Sequence, residues 1–133
     1  MGNIVFSDIY GYNLTGFLSY DEKFLLKLHE HELNSKEKRY YISLVTACYN
    51  KSENMAIDLL RFSNKETLNL QDHNGNTILM IACRNKMERV AMKILEDPVN
   101  CGLNLRNGEG YTAQMYAQLN ELNNVISKCT NVA

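Results

Sequence analysis

The chain of 133 residues predicts an all-α fold, a solenoid of stacked helix-turn-helix units with turn tips and a period of about 35 residues. Three observations carry the prediction. Residues 70–95 read as a turn, a helix, a short connection and a second helix. The same unit recurs in register at an offset of 35 residues. Within each unit the apolar residues fall at helical spacing.

The unit at 70–95 is the clearest. Asp72 and Gly75 flank a turn in which Asn74-Gly75 tolerates positive φ, the backbone region that Gly and Asn reach at least steric cost. Thr77 stands where a helix must start, and its hydroxyl can accept a backbone N–H of the first turn. Ala82 and Cys83 follow Leu79 at helical spacing, and their small size suits a helix face packed closely on its neighbours. Val90, Ala91, Ile94 and Leu95 supply the apolar face of the second helix at i, i+1, i+4 and i+5.

Residues 47–60 lie over residues 82–95 with seven of fourteen positions identical. Downstream, Asn69-Leu70 falls on Asn104-Leu105, Gly75 on Gly110, Thr77 on Thr112, Met80 on Met115, Ala82 on Ala117, Asn85 on Asn120 and Val90 on Val125. A fixed period in the thirties is the mark of stacked supersecondary units, each unable to bury its apolar face alone.

The unit resembles an ankyrin repeat, whose pattern places a turn Asp and Gly before Thr-Pro-Leu-His-x-Ala. Asp72, Gly75, Thr77, Leu79 and Ala82 match it, while Ile78 and Met80 replace the Pro and the His. Loss of the Pro removes a φ constraint at the first helical turn, and loss of the His removes a side chain that ties adjacent repeats. Lys51 and Lys86 stand where the family has a Gly between its two helices. The period leaves about two extra residues per repeat, placed most naturally in the loop at 97–102. The diverged, asparagine-rich repeats are similar to those of protist or large-virus ankyrin proteins.

Taken in order, residues 1–133 form a single repeat domain. Residues 1–36 read as a degenerate N-terminal capping repeat, with Asp8 to Gly11 spaced like Asp72 to Gly75 and with Phe17, Leu18, Phe24, Leu25 and Leu28 as its apolar positions. His29 and His31 alternate and so do not share a helical face; they read as a solvated helix end. Residues 37–71 form the next repeat, in which Glu37 takes the register of Asp72, so that Lys38, Arg39 and Tyr41 project from its turn. Residues 72–106 form the repeat after it. Residues 107–133 form a C-terminal capping repeat, where Gln114 and Gln118 replace the apolar or small Leu79 and Cys83 and suit an outer face that meets water.

Composition narrows the chemistry. A net charge of −1 exerts no global attraction for nucleic acid or acidic membrane. No apolar run approaches the roughly 20 residues that span a bilayer, and no secretory signal is evident. The start, Met1 to Ser7, approaches the myristoylation pattern but carries Phe6 where a hydroxyl residue is needed. Cys48 and Cys83 share a repeat position that wants a small buried residue, and no Cys-x-x-Cys pair exists, so packing in a reducing, cytoplasmic setting is expected rather than a zinc site. Nucleophile elbow, phosphate loop and His-Glu-x-x-His are all absent, and Gly108-Glu109-Gly110 lacks the third glycine of a dinucleotide fingerprint. The expectation is a protein that is no enzyme and holds no cofactor or metal.

The resemblance implies function by binding another protein through the turn tips and the concave helix face, as inhibitor or scaffold. The family's contact positions fall here on Lys38, Arg39, Tyr41, Tyr49, His73, Asn74, Asn76, Arg84, Asn85, Glu109 and Tyr111. Arg39, Tyr41, Tyr49, His73, Arg84 and Tyr111 are the sharper candidates, because aromatics and Arg favour interface centres; the asparagines also shape turns and end helices. No nucleic acid or membrane is expected as partner, and the chain is expected as a monomer or weak homo-oligomer. The alternative is a structural subunit that stacks on itself.

Overall fold

A computed structural model of the chain describes residues 34–131. The expected capping repeat at 1–36 lies, but for its last three residues, outside the described residues. Among them are seven α-helices, α1 (Ser35–Tyr49), α2 (Glu53–Leu59), α3 (Lys65–Asn69), α4 (Ile78–Arg84), α5 (Glu88–Ile94), α6 (Ala113–Leu119) and α7 (Asn123–Thr130), and no strand. The first helices of successive units, α1, α4 and α6, pack side by side in that order, and the second helices α2, α5 and α7 form a parallel row behind them.

Local chemistry starts each first helix. Thr77 Oγ1 accepts from the Met80 N–H at 3.1 Å, and Thr112 Oγ1 accepts from the Met115 N–H at 3.3 Å. The methionine that replaces the family's histidine returns the bond: Met80 Sδ accepts from Thr77 N, and Met115 Sδ from Thr112 N, each at 3.5 Å. A thioether is a weak acceptor, so this reciprocal cap is closed on one side by a weaker bond than Glu or Gln would make.

The first described unit departs from expectation. Asn34 and Glu37 form a capping box, with Glu37 N donating to Asn34 Oδ1 at 2.8 Å and Asn34 N to Glu37 Oε1 at 3.3 Å, and the helix runs unbroken for 15 residues against 7 in α4 and α6. Glu37 is therefore the third residue of a helix and not a turn residue. The reason is compositional: residues 35–42 contain no Gly and no Asn-Gly or Asp-Gly pair to reach positive φ, so nothing interrupts the helix that the box begins. The connection at 62–67 is likewise partly helical, because Asn64 and Thr67 cap one another and nucleate the short α3, after a 3-10 turn at Leu60–Phe62. The loop at 97–102 holds a 3-10 turn, Pro98–Asn100.

Small residues set how closely the first helices approach. Ala47, Ala82 and Ala117 occupy one repeat position, and each is completely buried. Leu44, Val45, Leu79, Ile81, Val90 and Leu95 fill the space between rows, and complete burial of such side chains contributes about 1.5–3 kcal/mol each. At the far end the pattern gives way as expected: Cys83 is buried, but its counterpart Gln118 is exposed.

Between the helices of each pair the chain reverses through one residue of left-handed backbone. Lys51, Lys86 and Glu121, spaced 35 apart, have φ of 58°, 59° and 56°. The family's glycine position thus keeps its geometry without its glycine. The repeats are also stitched together one residue earlier. Asn85 Nδ2 donates to Cys48 O at 2.9 Å, and Asn120 Nδ2 donates to Cys83 O at 2.8 Å and to Arg84 O at 3.0 Å. These asparagines bind the carbonyls at the end of the preceding first helix, groups that have no partner inside their own helix.

Candidate partner-binding face

The tips at 72–76 and 107–111 close by the same scheme. Asp72 Oδ1 accepts from Asn74 N and Asn76 N at 2.9 Å each, while Asn107 Oδ1 accepts from Glu109 N at 3.0 Å and Tyr111 N at 2.9 Å. An amide oxygen replaces a carboxylate oxygen at the same register, and the loop survives because both side chains accept two backbone donors there. Gly75 and Gly110 supply the positive φ, 82° and 85°.

Adjacent tips are also bonded to each other. Gly108 N donates to Asn74 O at 2.9 Å, Gln71 Nε2 donates to Arg106 O at 2.8 Å, and Asn107 Nδ2 reaches both Asn76 Oδ1 at 2.9 Å and Tyr116 Oη at 2.8 Å. Gly75 is required here twice over, since a Cβ added to it would lie 2.7 Å from the Gly108 nitrogen. Behind the tips, Tyr49 at the end of α1 donates its hydroxyl to Asp72 Oδ2. Burial and this bond to the Asp72 carboxylate push the Tyr49 hydroxyl well above its ordinary pKa. The tips are thus fixed by buried polar contacts, with Asp72 and Asn76 nearly inaccessible.

The eleven residues expected to contact a partner divide accordingly. Arg39, His73, Asn74, Arg84, Glu109 and Tyr111 are exposed. Lys38 is half-buried, and it sits with Arg39 in the first turns of α1 rather than on a turn between elements. Tyr41 does not project from a turn: it is completely buried, because the unbroken helix carries it into the core. Asn76 is 2% exposed and serves the Asn107 amide, while half-buried Asn85 serves the Cys48 carbonyl. Tyr49 is half-buried with its hydroxyl committed to Asp72.

One exposed residue escaped sequence reasoning. Leu119, the last residue of α6, is 67% exposed and occupies the repeat position of Tyr49 and Arg84, each the last residue of its own first helix. Its signal in the sequence is the 35-residue offset from Arg84. At the other end of α6, exposed Tyr111 lies in the tip with its ring 5.2 Å from that of Tyr116.

All four cysteines are buried. Burial pushes the Cys48 and Cys83 thiols up to about 12 and Cys101 to about 11, so none is a ready thiolate nucleophile. Among the described residues no group of three or more His, Cys, Asp or Glu could hold a metal ion, and no helix is long and apolar enough to cross a membrane. A family model describing ankyrin repeats, in three copies, matches residues 44–128. No curated protein and no solved structure matches the chain.

Proposed function

Because this chain belongs to the ankyrin-repeat family, we propose that it acts without catalysis, by binding a partner protein through its tips and the ends of its first helices. Ankyrin repeats are generally protein-protein interaction modules and typically non-catalytic. The observation that carries the reading is the contrast within the tips. Their backbone and buried polar groups are bonded internally, while His73, Asn74, Glu109 and Tyr111 stand in solvent above them. Side chains held on a pre-ordered backbone lose little freedom on binding, which favours recognition. A stack of this size can cover roughly 800 Å² of a partner, enough for a standard specific complex.

Whether the effect is inhibition or scaffolding depends on what the partner's covered surface does. Four buried cysteines, of which Cys48 and Cys83 share a small-residue packing position, favour a reducing, cytoplasmic setting. A large-virus origin for these asparagine-rich repeats would favour a host protein as the target. Self-stacking is the second reading, favoured by exposed Leu119 and by the open space around Gly110, whose added Cβ would meet nothing within 4 Å.

Affinity purification of the tagged chain from host lysate tests the first reading, run beside a folded variant with alanine at Arg39, His73, Arg84, Glu109 and Tyr111. A stoichiometric partner kept by the natural chain and lost by the variant is expected. Retention by both would remove the tips from the interface. Recovery of this chain alone, with a size in solution above the monomer, would favour self-stacking.

A further inference from the structure

The ends of the three first helices form a row that changes character along the stack: Tyr49, Arg84, Leu119. Tyr49 is covered because its hydroxyl meets Asp72, in the tip that follows it by 23 residues. Arg84 stands at the same offset from Asn107, the start of the third tip, and remains exposed. Leu119, at the same position of its own unit, stands 67% in solvent. Charge follows the same direction. Exposed Lys51 and Lys86 flank Tyr49 and Arg84, whereas exposed Glu121 and Glu109 belong to the unit of Leu119. The cationic part of the row therefore lies in the first two described units, and its apolar part, Leu119, lies in the third.

We infer that this row recognises a partner segment presenting a carboxylate to Arg84 and, one repeat further along, a large apolar side chain to Leu119. The inference rests on the binding reading above and specifies its ligand. Arg offers a planar two-donor fork that matches a carboxylate. Leu119, 67% exposed, offers apolar surface whose removal from water stabilises a complex at about 25 cal/mol per Å². The acidic residues of the third unit disfavour the reverse orientation, because they would face the partner's carboxylate.

Spacing sharpens the inference. Neighbouring packed helices lie about 8–10 Å apart. Residues i and i+7 of a partner helix share a face and lie about 10.5 Å apart, and residues i and i+3 of a polyproline-type segment share a face at about 9.3 Å. A β-strand offers about 6.6 or 13 Å on one face and fits neither. The favoured partner is therefore a helix or polyproline-type segment with an acidic and a large apolar residue seven or three positions apart.

The test is selection of a displayed random dodecapeptide library on the full chain, followed by titration of enriched peptides against Arg84→Glu and Leu119→Ser. Both positions are exposed, so both variants are expected to keep the fold, as checked by circular dichroism. The expected result is enriched peptides with the acidic and apolar pair at one of those spacings, at least about tenfold weaker binding to either variant, and recovery on Arg84→Glu when the peptide acid is changed to Lys. Peptides without the acid, peptides that bind both variants unchanged, or no enrichment would overturn the inference. So would a monomer-dimer equilibrium abolished by Leu119→Ser, which would assign the row to a second copy. The two readings fail separately. A lysate partner held equally by natural chain, Arg84→Glu and Leu119→Ser would keep protein binding and discard this row, whereas no protein partner at all would discard both.

Discussion

Lys51, Lys86 and Glu121 each hold left-handed backbone at a position where a glycine would carry no steric cost, and all three side chains are exposed. A residue with a Cβ costs about 1–2 kcal/mol in this region relative to glycine, because Cβ crowds the following carbonyl oxygen. Glycine gains more freedom in the unfolded chain, which returns about 0.4–1 kcal/mol. The balance is a stabilisation of about 0.5–1 kcal/mol per site, or about 1.5–3 kcal/mol for the triple variant Lys51→Gly, Lys86→Gly, Glu121→Gly if the sites add.

Urea unfolding followed by circular dichroism measures this directly. With a slope near 2 kcal/mol/M the triple variant should unfold about 0.7–1.5 M later, at unchanged slope. The matching alanine triple removes the same side chains and charges but keeps the Cβ in the left-handed region, so it should gain nothing. Equal midpoints for the glycine and alanine triples would refute the reasoning, since the gain could then not come from relief of φ strain.

Three further outcomes follow from the contacts between repeats. Gly110→Ala should cost about 1–2 kcal/mol from φ alone, and Gly75→Ala distinctly more, because its Cβ would also strike the neighbouring tip backbone 2.7 Å away; equal losses in denaturant midpoints would show that tip contact contributes nothing. Asn85→Ala and Asn120→Ala should each lose about 1 kcal/mol by the same assay, with Asn120→Ala leaving both its carbonyl bonds unmade. Unfolded thiols ionise near pH 9, whereas buried Cys48, Cys83 and Cys101 do so only at about 11 to 12. The unfolded chain therefore releases protons first, so stability that is intact below pH 9 should fall as pH rises through that window, and labelling of the native thiols by a disulfide reagent at neutral pH should proceed only as fast as the structure opens.

Much of the architecture was legible because it is encoded locally or periodically. Thr77 and Thr112 announce helix starts by their own chemistry, Asn74-Gly75 announces a tip, and the 35-residue recurrence of Ala-Cys or Ala-Gln announces a close-packed first helix. Register alone misled at Glu37. Counting 35 back from Asp72 placed a turn there, but Asn34 and Glu37 cap a helix within four residues of sequence, and that local bond outweighs periodic analogy. Tyr41 followed the error, and its burial is the consequence.

By itself, then, the sequence determined the period, the helix starts, the glycine-dependent tips and the polar last unit, since each rests on side chains acting within about four residues of themselves or on strict repetition. Only the tertiary structure decided which polar residues face a partner and which hold the stack together. Asn85 and Asn120 reach back to carbonyls 37 residues away, and Asn76 is met by an amide 31 residues on, so an asparagine that looks exposed in one repeat is engaged by its neighbour. Leu119 shows the converse: it stands 67% in solvent at the repeat position where Tyr49 is held by Asp72, 23 residues on. Exposure in a solenoid is a property of neighbouring units, and a single unit's residues do not contain it.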